Sequence, residues 1–266
     1  MTEPAVLVEP DTAEVAVAVI TLNRPQRRNA LTVELKEALL AAVTGVAADR
    51  RVRAVVLTGS GAGFCVGQDL REHAATLQSG EGTKFDTVAQ HYNPIVRALA
   101  GMPKPVVAAI NGSCVGAGLG FALACDLRVA AAGSTFATAF AAIGLTADSG
   151  LSASLVHSLG AARAAELLLL GEPFSAEQAE QWGLVRAVEP PEQVLDAALE
   201  LARTLAAGPT LAYAEIKKAL ALGAVSSLDE VLAAEGAAQA RLGQTKDHVG
   251  AVEAFLAKQR PTFEGA

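Results

Sequence analysis

Hydrophobic positions in the first half of the chain fall into short apolar runs separated by amphipathic stretches. VAVAVITL (15–22) is rich in β-branched residues and stops at Asn23-Arg24-Pro25, as a strand does. Thr32 can cap a helix reaching about Ala48, in which Leu35, Leu39, Leu40 and Val43 recur at helical spacing. AVVLTG (54–59) is a continuous apolar run ending in glycine, the pattern of a buried parallel strand. GSGAGFCVGQDL (59–70) reads as a loop entering a short helix, and the polar, aperiodic TLQSGEGTKFD (76–86) as a mobile segment. A helix near 87–100, the strand PVVAAI (105–110), a turn at Asn111-Gly112, the run CVGAGLGFALAC (114–125) and the strand DLRVAA (126–131) follow. This βαβ-like order predicts an α/β fold with a mainly parallel sheet.

The second half reads as helical, through LSASLVHSLGAARAAELLLLG (151–171), SAEQAEQWG (175–183) and three amphipathic stretches after Pro190. A shift in composition near 190 divides the chain into an α/β core, 1–190, and a helical region, 191–266. Val231, Leu232, Ala238 and Leu242 lie on faces that a monomer would leave exposed, which predicts a homo-oligomer.

Composition narrows the function. Apolar residues make up 52% of the 266 and charged residues 18%, enough to bury a large core. A net charge of −7 without a basic footprint excludes a nucleic-acid binder. No stretch approaches the roughly 20 apolar residues of a membrane span, and AELLLLG (165–171) is too short. The N-terminus lacks the pattern of a secretory signal. Cys65, Cys114 and Cys125 fit no metal spacing and read as free thiols of a cytoplasmic protein. Trp182 reads as a core residue and His157 as core or interface, and no metal site or separate cofactor is expected.

Two glycine-rich turns carry the candidate chemistry. Gly67-Gln68 and the segment NGSCVGAGLG each place small residues where a chain enters a helix. Glycine lets a ligand approach the backbone, and the first N–H groups of a helix have no internal partner. Two such loops can each direct one N–H at a single oxygen that becomes anionic. The bland reading is tight turns and close packing. VGAGLG lacks the spacing and ribose-binding acid of a dinucleotide fingerprint.

Taken together, NRPQRRNAL, VVLTGSGAGFCVGQDL, KPVVAAINGSCVGAGLGFALACDLRVAA, FATAFAAIGL, LLLLGEPFSAEQAEQWGLV and AFLAKQRPTF resemble the crotonase (enoyl-CoA hydratase/isomerase) superfamily over roughly residues 13–263. The resemblance implies a spiral of ββα units, a trimerising helical C-terminus commonly stacked as a dimer of trimers, and acyl-CoA thioester substrates. Coenzyme A is then part of the substrate. The oxyanion-hole N–H groups fall on Gln68 and Ala117. Arg71 and Lys258 match positions that meet CoA phosphate, and Arg24 and Arg28 lie in the loop bordering CoA. Ala30, Cys65, Gly67, Asp69, Leu70, Gly116, Gly120, Phe140 and Leu145 complete the implied substrate site.

The chain departs from the hydratase pattern at both acids. Hydratases carry glutamates where this chain has Gly120 and Phe140, neither of which exchanges a proton. The resemblance is closest to epoxyphenylacetyl-CoA isomerase-type members, with a GQDL loop, an aromatic residue at 140 and a D-S-G loop at 148–150. It assigns proton transfer to Asp148, although Asp before Ser-Gly is also an ordinary N-cap. One carboxylate suffices to move a double bond. Hydration with atypical acids and non-catalytic acyl-CoA binding are the alternatives. A dehalogenase-like pairing of His91 with Asp148 is a further one, because His91 falls about two positions from the histidine of that pattern.

Overall fold

The computed structural model describes residues 3–11, 16–79 and 86–266. Its elements in chain order begin with β1 (Val6–Pro10), β2 (Val17–Leu22), α1 (Val33–Ala48), β3 (Ala54–Gly59), β4 (Gly63–Cys65) and α2 (Leu70–Ser79). They continue through α3 (Asn93–Ala100), β5 (Val106–Ile110), β6 (Ser113–Val115), α4 (Ala117–Ala124), β7 (Leu127–Ala131) and β8 (Thr135–Ala137). After α5 (Leu151–Leu170) come β9 (Phe174–Ser175), α6 (Ala176–Gln181), β10 (Ala187–Glu189), α7 (Val194–Ala206), α8 (Thr210–Gly223), α9 (Leu228–Leu242) and α10 (Lys246–Leu256).

The larger sheet runs β1-β2-β3-β5-β7-β10, parallel except at the β1–β2 hairpin. A smaller sheet runs β4-β6-β8-β9, parallel except at β8–β9. Each of β3, β5 and β7 is thus followed by a short strand of the second sheet, which builds the spiral of ββα turns. The sequence pattern alone shows neither β1, whose three apolar residues run into Glu9-Pro10, nor the two- and three-residue strands of the second sheet, which are too short to establish a period. Residues 80–85 of the segment expected to be mobile, and Val15 of the expected strand 15–22, lie outside the described residues.

The continuous apolar runs are explained by burial on both faces. Val55, Leu57, Val106, Ala108 and Ile110 face a core closed by α1 and α3. Ala54, Val56, Val107 and Ala109 face α7, whose Ala198, Ala202 and Ala206 are fully buried. Alanine at these positions lets α7 approach the sheet closely, and a larger residue there would cost about 1–3 kcal/mol in overpacking. Past residue 190, α7 forms a layer on the sheet, and the loosely covered helices are α8 to α10. Thr32 caps α1 as expected, its Oγ1 accepting from Leu35 N at 3.3 Å.

One expectation changes. Among the described residues, α5 is long and apolar enough to cross a membrane by length and composition, which the leucine run alone did not reveal. Gly160, at φ 77° and ψ 163°, breaks it into two shorter helices, each of about ten residues and so about 15 Å long. His157, read as core or interface, is exposed on this helix and so lies outside the core.

Candidate functional site

The two glycine turns meet. Gly67 has φ +80°, and a Cβ built on it would lie 3.1 Å from Val115 O and 3.5 Å from Ala117 N. Leu31 N donates to Gly67 O at 2.8 Å, and Asp69 N donates to Leu31 O at 3.1 Å. This parallel bridge turns the intervening Gln68 N–H away from Leu31. Gly116 has φ 58° and ψ −125° at the start of α4, a conformation that favours glycine. Ala117 is the first residue of α4, so its N–H has no partner within the helix. Neither the Gln68 nor the Ala117 N–H is bonded to another described residue.

Both residues line a cavity of about 280 Å³ together with Gly67, Leu70, Tyr92, Gly116, Thr138, Phe140, Ile143 and Asp148. Its wall is apolar apart from the backbone turns, Gln68, Thr138, the Tyr92 hydroxyl and the Asp148 carboxyl. A wider groove of about 710 Å³ lies between β1, β2 and α1 and is lined by none of the residues singled out as site candidates in the sequence.

Asp148 sits in the loop before α5. Its side chain does not cap that helix: the N-cap is Gly150, without a side-chain hydrogen bond. Its backbone carbonyl accepts from Leu151 N at 3.0 Å, while its Oδ1 accepts from Ser149 Oγ at 2.7 Å. Burial raises the carboxyl above its ordinary value, against the opposing pull of that hydrogen bond. Ser149 is buried, with left-handed backbone at φ 54°. Gly120 lies behind this loop and does not line the cavity. Phe140 lines the cavity, with Cζ 3.9 Å from a Cβ built on Gly116.

Lys36 and Tyr92 escaped the reading of the sequence. A π-helical turn over Val88–Tyr92 precedes α3, where Asn93 N donates to Val88 O and Pro94 has no N–H to offer. Tyr92 is thereby carried to the cavity, buried, with its hydroxyl donating to Gln68 Oε1. Lys36 is 1% exposed. Its Nζ donates to the same Gln68 Oε1 at 3.3 Å and to Thr87 Oγ1 at 2.6 Å, and lies 5.4 Å from the Tyr92 ring centroid. Burial pushes the Lys36 ammonium below its ordinary pKa and the Tyr92 phenol above its own. A lysine within the stripe Lys36, Leu39, Val43 was the one available signal.

The other expected residues are scattered. Arg24 pairs with Asp69 at 3.1 Å and donates to Ala30 O at 2.5 Å, so these three brace the first loop. Burial would raise the Asp69 carboxyl, but the N–H groups of Glu72 and Arg71 and the Arg24 guanidinium hold it below its usual value. Cys65 is fully buried, its thiol bonded to Asn29 O at 3.3 Å and pushed up to about 12, so its side chain does not face the cavity. Leu70, 56% exposed, stands at the mouth. Leu145 lies in an adjoining depression shared with Asp148 and Val88. Arg28, Arg71 and Lys258 are exposed and do not line the cavity, and Trp182 is half-buried against Phe174 and Arg163. His91 Nδ1 faces Thr87 Oγ1 at 3.1 Å and does not line the Asp148 cavity. Among the described residues, no group of three His, Cys, Asp or Glu could hold a metal.

Comparison with known proteins identifies the family. The profile of the enoyl-CoA hydratase/isomerase family matches residues 12–266. A 1,2-epoxyphenylacetyl-CoA isomerase of Escherichia coli is 40% identical over 95% of this chain and 96% of its own. A 2,3-dehydroadipyl-CoA hydratase of the same organism is 35% identical over 94% and 95%. A crystal structure from Mycobacterium abscessus, described as an enoyl-CoA hydratase/isomerase, superposes with a TM-score of 0.93 at 48% identity, covering 98% of this chain and all of that one.

Proposed function

The chain belongs to the enoyl-CoA hydratase/isomerase family, and from that premise we propose that it is an acyl-CoA isomerase with Asp148 as its single acid/base. One observation carries the reading. Among the described residues, the cavity that holds two unpartnered backbone N–H groups holds one carboxylate, and neither Gly120 nor Phe140 supplies a second.

The thioester carbonyl oxygen lies between the N–H groups of Gln68 and Ala117. Ionised Asp148 removes a proton from C2 of a 3-enoyl thioester, and the charge moves to that oxygen. The two preorganised donors stabilise it, each lowering the barrier by about 3 kcal/mol. Asp148 then returns the proton to C4, which leaves the 2-enoyl isomer. Burial of the carboxyl favours this return, because a raised pKa brings the acid closer to neutrality. A ring-epoxide acyl-CoA, the substrate class in the name of the Escherichia coli isomerase, uses the same enolate. Arg71 and Lys258 are the proposed contacts to CoA phosphate, and α8 to α10 the proposed surfaces of a trimer or dimer of trimers.

Hydration is a second reading, favoured by the resemblance to 2,3-dehydroadipyl-CoA hydratase. Mass spectrometry of an acyl-CoA panel incubated with the protein in deuterated water separates the two. Isomerisation exchanges hydrogen for deuterium without adding oxygen. Hydration adds the mass of one water, and that outcome alone would overturn the isomerase reading.

A further inference from the structure

Lys36 is a buried cation that the mechanism above does not use. Among the described residues it forms no ion pair with a carboxylate. Glu37 and Glu72 act on it only at longer range, and the Glu72 carboxylate accepts from Val33 N at 3.0 Å. An ammonium held in this way is strongly disfavoured unless its hydrogen bonds are made. It makes them to Gln68 Oε1 and Thr87 Oγ1. A lysine ammonium only donates, so the Gln68 atom facing it is the amide oxygen. Tyr92 donates to that same oxygen. Two donors from α1 and from the turn before α3 therefore converge on the side chain of the residue whose backbone N–H enters the cavity.

We propose that Lys36 is a positioning residue of the oxyanion site: through Gln68 Oε1 it holds the loop that carries the Gln68 N–H, and its charge, which no described carboxylate pairs, favours an anionic oxygen there. The inference rests on the oxyanion reading of Gln68 and Ala117. Lys36 acts chiefly by fixing the direction of the Gln68 N–H dipole through Gln68 Oε1, an effect felt more by a charged oxygen than by a neutral carbonyl. Loss of Lys36 therefore weakens binding of an enolate while sparing a neutral thioester.

Acetoacetyl-CoA tests this, because its enolate absorbs in the near ultraviolet and its enolisation pKa can be titrated while bound. The wild-type protein lowers that pKa below the value of the free ligand. Lys36→Met raises the bound value by about one unit, a tenfold loss, below the roughly hundredfold expected for deleting a donor. Affinity for butyryl-CoA stays within twofold. Gln68→Leu keeps the backbone N–H but removes the acceptor, and gives the same rise. The double variant is no worse than either single change, as expected for residues acting as one unit. A folded Lys36→Met protein with an unchanged enolisation pKa overturns the proposal. Should Lys36→Met fail to fold, Gln68→Leu decides alone, and an unchanged pKa there overturns it equally. If the wild-type protein leaves the pKa of the free ligand unaltered, the oxyanion reading itself falls, and this inference with it.

Discussion

Gly120 and Ser149 occupy one space. A Cβ on Gly120 would lie 2.5 Å from Ser149 Cβ and 2.8 Å from Ser149 O. The loop that carries Asp148 therefore packs against α4 at the point where the hydratase pattern places its first glutamate. Gly120→Ala should destabilise the fold by about 1–3 kcal/mol through overpacking, read as a lower urea midpoint with an unchanged slope. Turnover that depends on Asp148 should fall with it. Glutamate at 120 meets the same obstacle, so glutamates installed at 120 and 140 should yield no 3-hydroxyacyl-CoA.

Asp148→Asn removes the proposed acid/base without removing a helix cap, because the Asp148 side chain caps nothing. The variant should fold and bind acyl-CoA, yet lose about 100- to 10,000-fold in the rate constant at saturating 3-enoyl-CoA. Retention of more than about a tenth of the rate would exclude Asp148 from proton transfer.

The raised Asp148 pKa has two consequences of fixed sign. The base form exists above that pKa, so the acidic limb of the rate profile should lie higher than for an ordinary aspartate and should depend on this residue. In stability the native state holds the proton to higher pH than the unfolded chain, so stability associated with Asp148 is present below the unfolded pKa and lost as pH rises through the folded one. Asp148→Asn should therefore melt above wild type near neutral pH, and the gap should narrow on acidification. Calorimetric melts across pH check this, and a gap that widens in acid would contradict it.

Arg71 is exposed on α2. If it meets CoA phosphate, Arg71→Ala should weaken acyl-CoA binding, more at low than at high salt, because an exposed pair is screened. Calorimetry at two ionic strengths measures this, and unchanged affinity at low salt would remove Arg71 from the phosphate contact.

Apolar side chains on α8 and α10 lie open, with Leu220 at 71% and Phe255 at 80% exposure. Such a surface calls for burial. Light scattering at micromolar concentration should give the mass of a trimer or hexamer, and a monomer would refute the assembly.

Local rules make much of the fold legible in the chain itself. Strands 54–59, 105–110 and 126–131 announce themselves as apolar runs, and α1 by Thr32 and its leucine spacing, because period and capping depend on neighbours within a few residues. The resemblance located Gly67-Gln68, Gly116-Ala117 and Asp148, since those motifs are contiguous in sequence. Tertiary structure alone decided that α7 is a core layer, because its alanines read as helix until the sheet face opposite them is known. It also decided that Asp148 is half-buried without capping a helix, and that Gly120 is small because Ser149 lies against it. Lys36 and Tyr92 converge on Gln68 across 32 and 24 residues of chain. A hydrogen bond between residues so far apart leaves no period or spacing in the sequence, because only the packing of separate elements brings its partners together.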